Sequence, residues 1–315
     1  MPLGVLIVPD GAAEPAGSGP TSLARARTPH LDRLCEAGAV GRVATTPPGL
    51  PPGSETGIPL LLGRRPRSAV GRGWIEAAAA GVAVPTGARP WRVDLHEEGG
   101  GRAADARTRE VAQALGARHL RGHRMLLVAP EPPPPLPGLR VWEDGARIGP
   151  PVPPGTLVVC GPGAAEGCGR LLGAAVVRPA GASGDVGTDL AAKARAALQA
   201  IAAGWPRIIV HVAAPDEAAH RHDAHAKVAA LEALDREIIA PLAEAVAQCG
   251  GRLAVCPDHG TDPVTGAHDG APVPALLWGA GVARSGPDRM TEKATAGAAV
   301  AAHPFALAGR AGAGR

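Results

Sequence analysis

Three apolar runs in this chain each end on a carboxylate, and this repetition constrains the fold more than any other feature. Residues 3–8 run into Pro9-Asp10-Gly11, residues 207–213 into Pro215-Asp216, and residues 253–256 into Pro257-Asp258-His259. Short apolar runs bounded by turn residues make buried strands. Helical stretches lie between them. One runs from Thr28, read as an N-cap with Pro29 at N1, to Gly38. Another starts at or just after Ser54, a third is capped by Thr188 and reaches Ala203, and residues 217–249 are mostly helical. Further strands are expected at 42–45 and 272–278, and a last helix from about Thr291. Strands alternating with helices predict an α/β fold, a mostly parallel sheet with helices on both faces.

Between residues 67 and 184 the texture changes: strands are weak, turns are frequent, and residues 130–137 are nearly all proline. This predicts a smaller inserted α+β domain over 67–184, with its own sheet and a helix near 108–115. Residues 1–66 and 185–315 then form the core domain.

The aromatic content is five Trp, one Phe and no Tyr, so the core must come mostly from Ala, Val, Leu and Ile. A net charge of +3 gives no case for a nucleic-acid partner. No apolar run reaches membrane-spanning length, and Pro2-Leu3-Gly4 leads directly into a strand without a signal-peptide n-region. Five cysteines with no C-x-x-C spacing argue for reduced thiols and a cytoplasmic protein.

Asp216 and His220 are four apart and share a face if their segment is helical. His268 closes the loop that follows Asp258 and His259. Carboxylates and imidazoles at the carboxyl ends of strands sit where open α/β sheets bind ligands. This mixed nitrogen and oxygen set suits Zn²⁺, Mn²⁺ or Fe²⁺ better than Mg²⁺ or Ca²⁺. Its size exceeds the needs of one tetrahedral ion and fits two ions close together. Ser54 stands where a Pro/Gly-rich approach meets an apolar helix, so its hydroxyl is the candidate nucleophile. Each piece alone reads as a helix cap or a solvated acid; their coincidence at strand ends favours a site. His211 reads as a packed strand residue, and His222 and His225 as helix surface.

These stretches resemble the cofactor-independent phosphoglycerate mutases of the archaeal type, in the alkaline phosphatase superfamily. The likeness covers nearly the whole chain. It is carried by VPDGAAEP at Asp10, ARTPHLDRLCEAGAVG, PPGLPPGSETG at Ser54, GRGWIEAAAAGV, VHVAAPDEAAHRHD, and CPDHGT leading to His268. It implies an alkaline-phosphatase-like core and two divalent ions, Mn²⁺ first, with Zn²⁺, Co²⁺ or Mg²⁺ as alternatives. Asp10, Ser54, Asp258 and His259 would hold one ion, and Asp216, His220 and His268 the other. Ser54 would take the phosphoryl group of 3-phosphoglycerate and return it to the 2-hydroxyl of the reoriented glycerate. The inserted domain would be a lid that binds this small phosphorylated substrate and excludes water. A metal-dependent phosphomonoesterase or phosphonate hydrolase on the same core is the alternative.

In the lid, GHRMLLVAP matches best and makes His123 and Arg124 the substrate-binding candidates, followed by Arg72 and Glu76 in GRGWIEA. Arg92, Arg102 and Arg107 match less closely. Of only three lysines, Lys193 and Lys227 fall where the family also has lysine, and Lys193 joins the substrate-binding set. Both otherwise read as helix surface. The chain departs from the pattern in its shortness, in Glu55 where Asp is usual, in Gly57 where another small residue is common, and in Asp94 where Asn is typical.

Overall fold

A computed structural model describes residues 2–17, 19–142, 145–147 and 152–307. Its strands are β1 (Gly4–Pro9), β2 (Ala39–Val43), β3 (Arg89–Leu95), β4 (Arg118–Arg121), β5 (Arg124–Ala129), β6 (Leu139–Val141), β7 (Thr156–Val159), β8 (Ala175–Val177), β9 (Arg207–Val212), β10 (Arg252–Val255), β11 (Gly260–Thr261), β12 (His268–Asp269), β13 (Val273–Gly279) and β14 (Val300–Ala301). Eight of them form one sheet in the order β14-β2-β13-β10-β1-β9-β7-β8. The three carboxylate-tipped runs are its centre: β1 pairs in parallel with β10 on one side and with β9 on the other. Their carboxyl ends therefore open on one edge. Only β13 runs against its neighbours β10 and β2.

Alternation along these strands splits the core in two. Val5, Ile7, Ile208, Val210, Leu253 and Val255 face one way, onto helices Pro29–Ala37, Leu190–Ala202 and Ala240–Gln248. Leu6, Val8, Ile209, Ala254 and Cys256 face the other way, onto helices Ser54–Leu61 and Ala164–Leu171. The sheet is thus covered on both faces, as its continuous apolar strands require.

Two caps differ from the sequence reading. Thr28 makes no side-chain cap bond; the distant Asp235 carboxylate accepts from His30 N at 3.1 Å and Leu31 N at 2.7 Å instead. A tertiary acid thus supplies the anion that the helix start favours. The helix expected to be capped by Thr188 is capped by Asp189, whose side chain accepts from Ala192 N. The last helix is a single turn, Glu292–Thr295, closed by the Thr291 side chain.

A second sheet, β4-β5-β3-β6, is wholly antiparallel and packs helix Asp105–Ala114, through Ala112, over Val93, Leu95 and Met125. The segment expected as an insert, 67–184, is not all separate from the core. β7 pairs in parallel with β9 on one side and with β8 on the other, in the large sheet. The fully buried Thr156–Val159 run has both faces to hide, which only the large sheet provides. The small sheet spans residues 89–141.

Lys193 and Lys227 are not on the surface: both side chains are fully buried. Lys227 Nζ donates to Thr261 O at 2.7 Å and Ala13 O at 3.3 Å, and lies 3.2 Å from Glu14 Oε1. It ties the loop after β1 to the strand after β10. Replacing it with Met leaves the Glu14 carboxylate buried without its cation, which typically costs about 3–5 kcal/mol. Urea denaturation of Lys227→Met should show a loss of that order; a loss under about 1 kcal/mol would mean the tie contributes little.

Candidate metal centre and substrate cavity

The site forms where β10, β1 and β9 end. Asp10 follows β1, Asp258 and His259 follow β10, and Asp216 lies on helix Ala214–His220 directly after β9. Their closeness depends on Gly11, whose φ is +59° and where a Cβ would meet Asp216 Oδ1 at 2.4 Å and Thr261 Oγ1 at 2.5 Å. Gly57 in the Ser54 helix does the same from above, since a Cβ there would lie 2.1 Å from the Asp258 carbonyl oxygen. The chain's departure at this position therefore fits the tight seating of the helix on the strand end.

Asp10, Asp216 and Asp258 are 5, 8 and 0% exposed. Asp10 Oδ1 lies 3.1 Å from His259 Nε2 and accepts from Ser54 Oγ at 3.3 Å; its Oδ2 lies 3.2 Å from His211 Nε2. Ser54 Oγ is also 3.4 Å from His259 Nε2. Asp216 accepts from Thr261 Oγ1 at 2.6 Å and lies 3.3 Å from His220 Nε2, so the expected shared helix face exists. His268 Nε2 is 3.0 Å from His220 Nε2, and its Nδ1 is 3.2 Å from Pro52 O.

Three ligand groups result, each with its donor atoms within 4.8 Å of one another: Asp216, His220 and His268; Asp10, Asp216 and His259; and Asp10, His211 and Asp258. The first is the set anticipated for one ion. The other two share Asp10 and divide the second anticipated set: His259 groups with Asp216, and Asp258 groups with His211, which sequence reasoning had assigned to packing. Alternation carries the missed signal: His211 shares the parity of Ile209, as Asp10 shares that of Val8 and Asp258 that of Cys256.

Electrostatics fit this donor set to divalent cations. Burial first, and the Asp10 charge next, push the Asp258 carboxyl up to about 7. Burial also opposes Asp10, yet His211 and His259 hold it well below the usual carboxylate range. His259 is raised well above the usual imidazole range, because Asp258, Asp10 and Asp216 outweigh its burial. Asp258 Oδ2 is buried with no hydrogen-bond partner. Converging buried acids and an orphaned carboxylate oxygen match a centre that takes dications.

A cavity of about 260 Å³ runs from Asp10, Ser54, His211, Asp216, His220 and His268 to the small sheet. Among the anticipated substrate-binding residues, His123, Arg124, Arg72 and Glu76 line it, and so does Arg102. Arg107 is exposed and does not. Lys193 does not line it either; its Nζ donates to His211 O at 3.0 Å, because its helix face packs on the sheet. Arg121, Arg140 and Trp142 line the cavity without having been singled out.

The chain's other departures make local pairs. Asp94 accepts from Arg92 Nε and Nη2, both at 3.0 Å, and from Trp142 Nε1 at 2.7 Å. Glu55 pairs with Arg72 at 2.6 Å. Arg92 and Arg72 are thereby committed, and the Arg72, Arg92 and Arg140 guanidiniums stack on Trp142 at 4.9, 4.8 and 4.2 Å from its ring centre. Arg124, among the described residues, has no carboxylate partner, and burial followed by Arg92 and Arg121 lowers it to about 10.

Covered sheet, clustered donors and arginine-lined cavity together define a metalloenzyme of the α/β class. Two family models match the chain in separate stretches: 2,3-bisphosphoglycerate-independent phosphoglycerate mutase over residues 35–120, and Metalloenzyme superfamily over 164–307. A 2,3-bisphosphoglycerate-independent phosphoglycerate mutase 1 from Archaeoglobus fulgidus is 29% identical, covering 88% of this chain and 88% of its own. The mutase from Methanopyrus kandleri is 27% identical, covering 89% and 88%, over an alignment of 383 positions that exceeds this chain's 315 residues. A probable mutase from Geobacter sulfurreducens is also 27% identical, covering 82% and 86%. In fold, the chain matches the PH0037 protein from Pyrococcus horikoshii with a TM-score of 0.80 at 24% identity, over 97% of this chain and 94% of that one. It matches the cofactor-independent phosphoglycerate mutase from Thermoplasma acidophilum with a TM-score of 0.63 at 19% identity, over 98% of each. The chain is thus similar over most of its length to 2,3-bisphosphoglycerate-independent phosphoglycerate mutases, and over residues 164–307 to the metalloenzyme superfamily.

The lid supplies a pH test. Burial first, then Arg124, Arg102 and Arg92 against an opposing Asp94, lower His123 from 6.5 to about 4. Its contribution to stability is therefore fully present above about 6.5 and is lost as pH falls toward about 4, because the unfolded imidazole takes the proton first. NMR titration of the His123 ring should show a midpoint far below 6.5; a midpoint near that value would mean the ring is solvated.

Proposed function

We propose that this chain interconverts 3-phosphoglycerate and 2-phosphoglycerate through a phosphoserine at Ser54. The observation that carries the reading is one continuous cavity with Ser54 Oγ and the Asp/His cluster at one end and, at the other, Arg124, which among the described residues has no carboxylate partner. Asp216, His220 and His268 would hold one divalent ion, and Asp10, Asp258 and His259 with Ser54 the second; Mn²⁺ suits this mixed donor set. Such ions neutralise phosphoryl charge and lower the pKa of a bound hydroxyl.

The chain's own groups do the rest. Ser54 Oγ attacks phosphorus in line with the substrate's 3-oxygen, the bond from phosphorus to that oxygen breaks, and the glycerate leaves with its 3-oxygen carrying the proton that Ser54 gives up. Arg124 and Arg121 hold its carboxylate by charge-assisted bonds while it turns. Its 2-hydroxyl oxygen then attacks the phosphoserine, and Ser54 regains its proton. The small sheet over the cavity keeps water from the phosphoserine, since a water that arrived first would release phosphate. The mainly buried free thiols suit a reducing cytoplasm.

Ser54→Ala should abolish turnover without unfolding the protein, and labelled substrate should leave phosphate on Ser54 of the wild type alone. Wild-type turnover by Ser54→Ala would point to a directly attacking water. Arg124→Ala should lose mutase turnover on the order of 30-fold to several thousand-fold, the effect of about 2–5 kcal/mol for a charged partner. Hydrolysis of a small artificial phosphoester, which needs little of the lid, should fall much less. Equal losses in both assays would mean that Arg124 supports the fold.

A further inference from the structure

Among the described residues, two buried polar atoms at this centre make no well-aligned hydrogen bond, although one of them stands 3.2 Å from Asp10 Oδ2, and they belong to the same ligand group. They are His211 Nε2 and Asp258 Oδ2. His211 is 6% exposed, lines the cavity, and sits on β9 directly across from Val8 of β1. Its Nε2 is 3.2 Å from Asp10 Oδ2, and its donor atom lies within 4.8 Å of donors on both Asp10 and Asp258. A buried imidazole nitrogen and a buried carboxylate oxygen rarely stay unpartnered, because each loses its water on burial. A cation bound between them would satisfy both.

We propose that His211 is a ligand of the divalent ion held by Asp10 and Asp258. The proposal rests on the metal-binding reading above and adds to it a histidine that would otherwise pass for a strand core residue. Backbone support is already built in. The Lys193 ammonium, itself fully buried, donates to His211 O at 3.0 Å and fixes the strand end from below. Asp10 N in turn donates to Val212 O at 3.0 Å, which locks the two strand ends in register. The imidazole therefore enters the centre from a strand rather than a loop, the more precise way to hold a ligand. Metal ligation through Nε2 places the ring proton on Nδ1.

The direct test uses the wild-type chain with ¹⁵N-labelled histidine, apo and loaded with Zn²⁺, which is diamagnetic. The Nε2 resonance assigned to His211, by its disappearance in His211→Gln, should shift on loading along with those of His220, His259 and His268. The second test is calorimetric titration with Mn²⁺. Removing a group that merely orients a ligand typically weakens metal binding about 10–100-fold. His211→Ala should weaken one of two ions by more than that, while the ion at Asp216, His220 and His268 keeps its affinity within about threefold. The NMR arm reads the shift in the wild-type chain and uses the His211→Gln variant for assignment alone. If the other histidines shift and His211 does not, His211 is not a ligand and the proposal falls while the metal centre stands. If no histidine shifts at all, both the proposal and the metal centre are wrong.

Discussion

Three carboxylates converge at adjacent strand ends with almost no exposure to water, and the rest of the structure follows from how that charge is managed. Asp10, Asp216 and Asp258 could not share this space as bare anions in a low-dielectric interior. Histidines answer part of the charge: His211 and His259 hold Asp10 low, and His220 sits against Asp216. What they leave is concentrated on Asp258, whose carboxyl is pushed up to about 7 and whose Oδ2 has no partner. Divalent cations would complete the arrangement, and such cations are what a serine hydroxyl needs to attack phosphorus.

The scaffold holds this charge by ties that run through backbone rather than through other side chains. Lys227 spans Ala13 and Thr261, and Thr261 hands its hydroxyl to Asp216. Lys193 does the same for His211. In a chain that has otherwise taken arginine almost throughout, both lysines occupy sites where a compact ammonium fits under a carbonyl and a planar guanidinium would not. Over the cavity, arginines fall into two groups. Arg72 and Arg92 are committed to Glu55, Glu76 and Asp94, whereas Arg124 faces the cavity with its charge unmatched.

Much of this was legible in the sequence because it depends on short-range patterns. Apolar runs ending in carboxylates marked the three central strands, and the four-residue spacing placed Asp216 and His220 on one helix face. Gly53-Ser54 marked the helix that carries the serine. What sequence alone could not show depends on contacts between distant segments. Asp235 caps a helix some 200 positions away, and Thr28 is left without that role. β7 joins the large sheet because both its faces are apolar and buried, and β8 pairs beside it as an edge strand, although turn-rich surroundings suggested an insert throughout. Lys193 and Lys227 looked like solvated helix residues, since a lone charge gives no local sign of the carbonyl it will meet. His211 was the subtler miss: its parity with Ile209 was readable, but its meaning came only once Asp10 and Asp258 stood beside it.

Mutase and hydrolase chemistry share the serine and the acids, and differ in where the phosphoryl group goes next. The decisive measurement is therefore the fate of phosphate when the Mn²⁺-loaded protein is given 3-phosphoglycerate alone. Quantified together, 2-phosphoglycerate should accumulate to a fixed ratio with 3-phosphoglycerate while free phosphate stays at the level of a protein-free control. Free phosphate rising in step with substrate loss, with no 2-phosphoglycerate formed, would contradict the account.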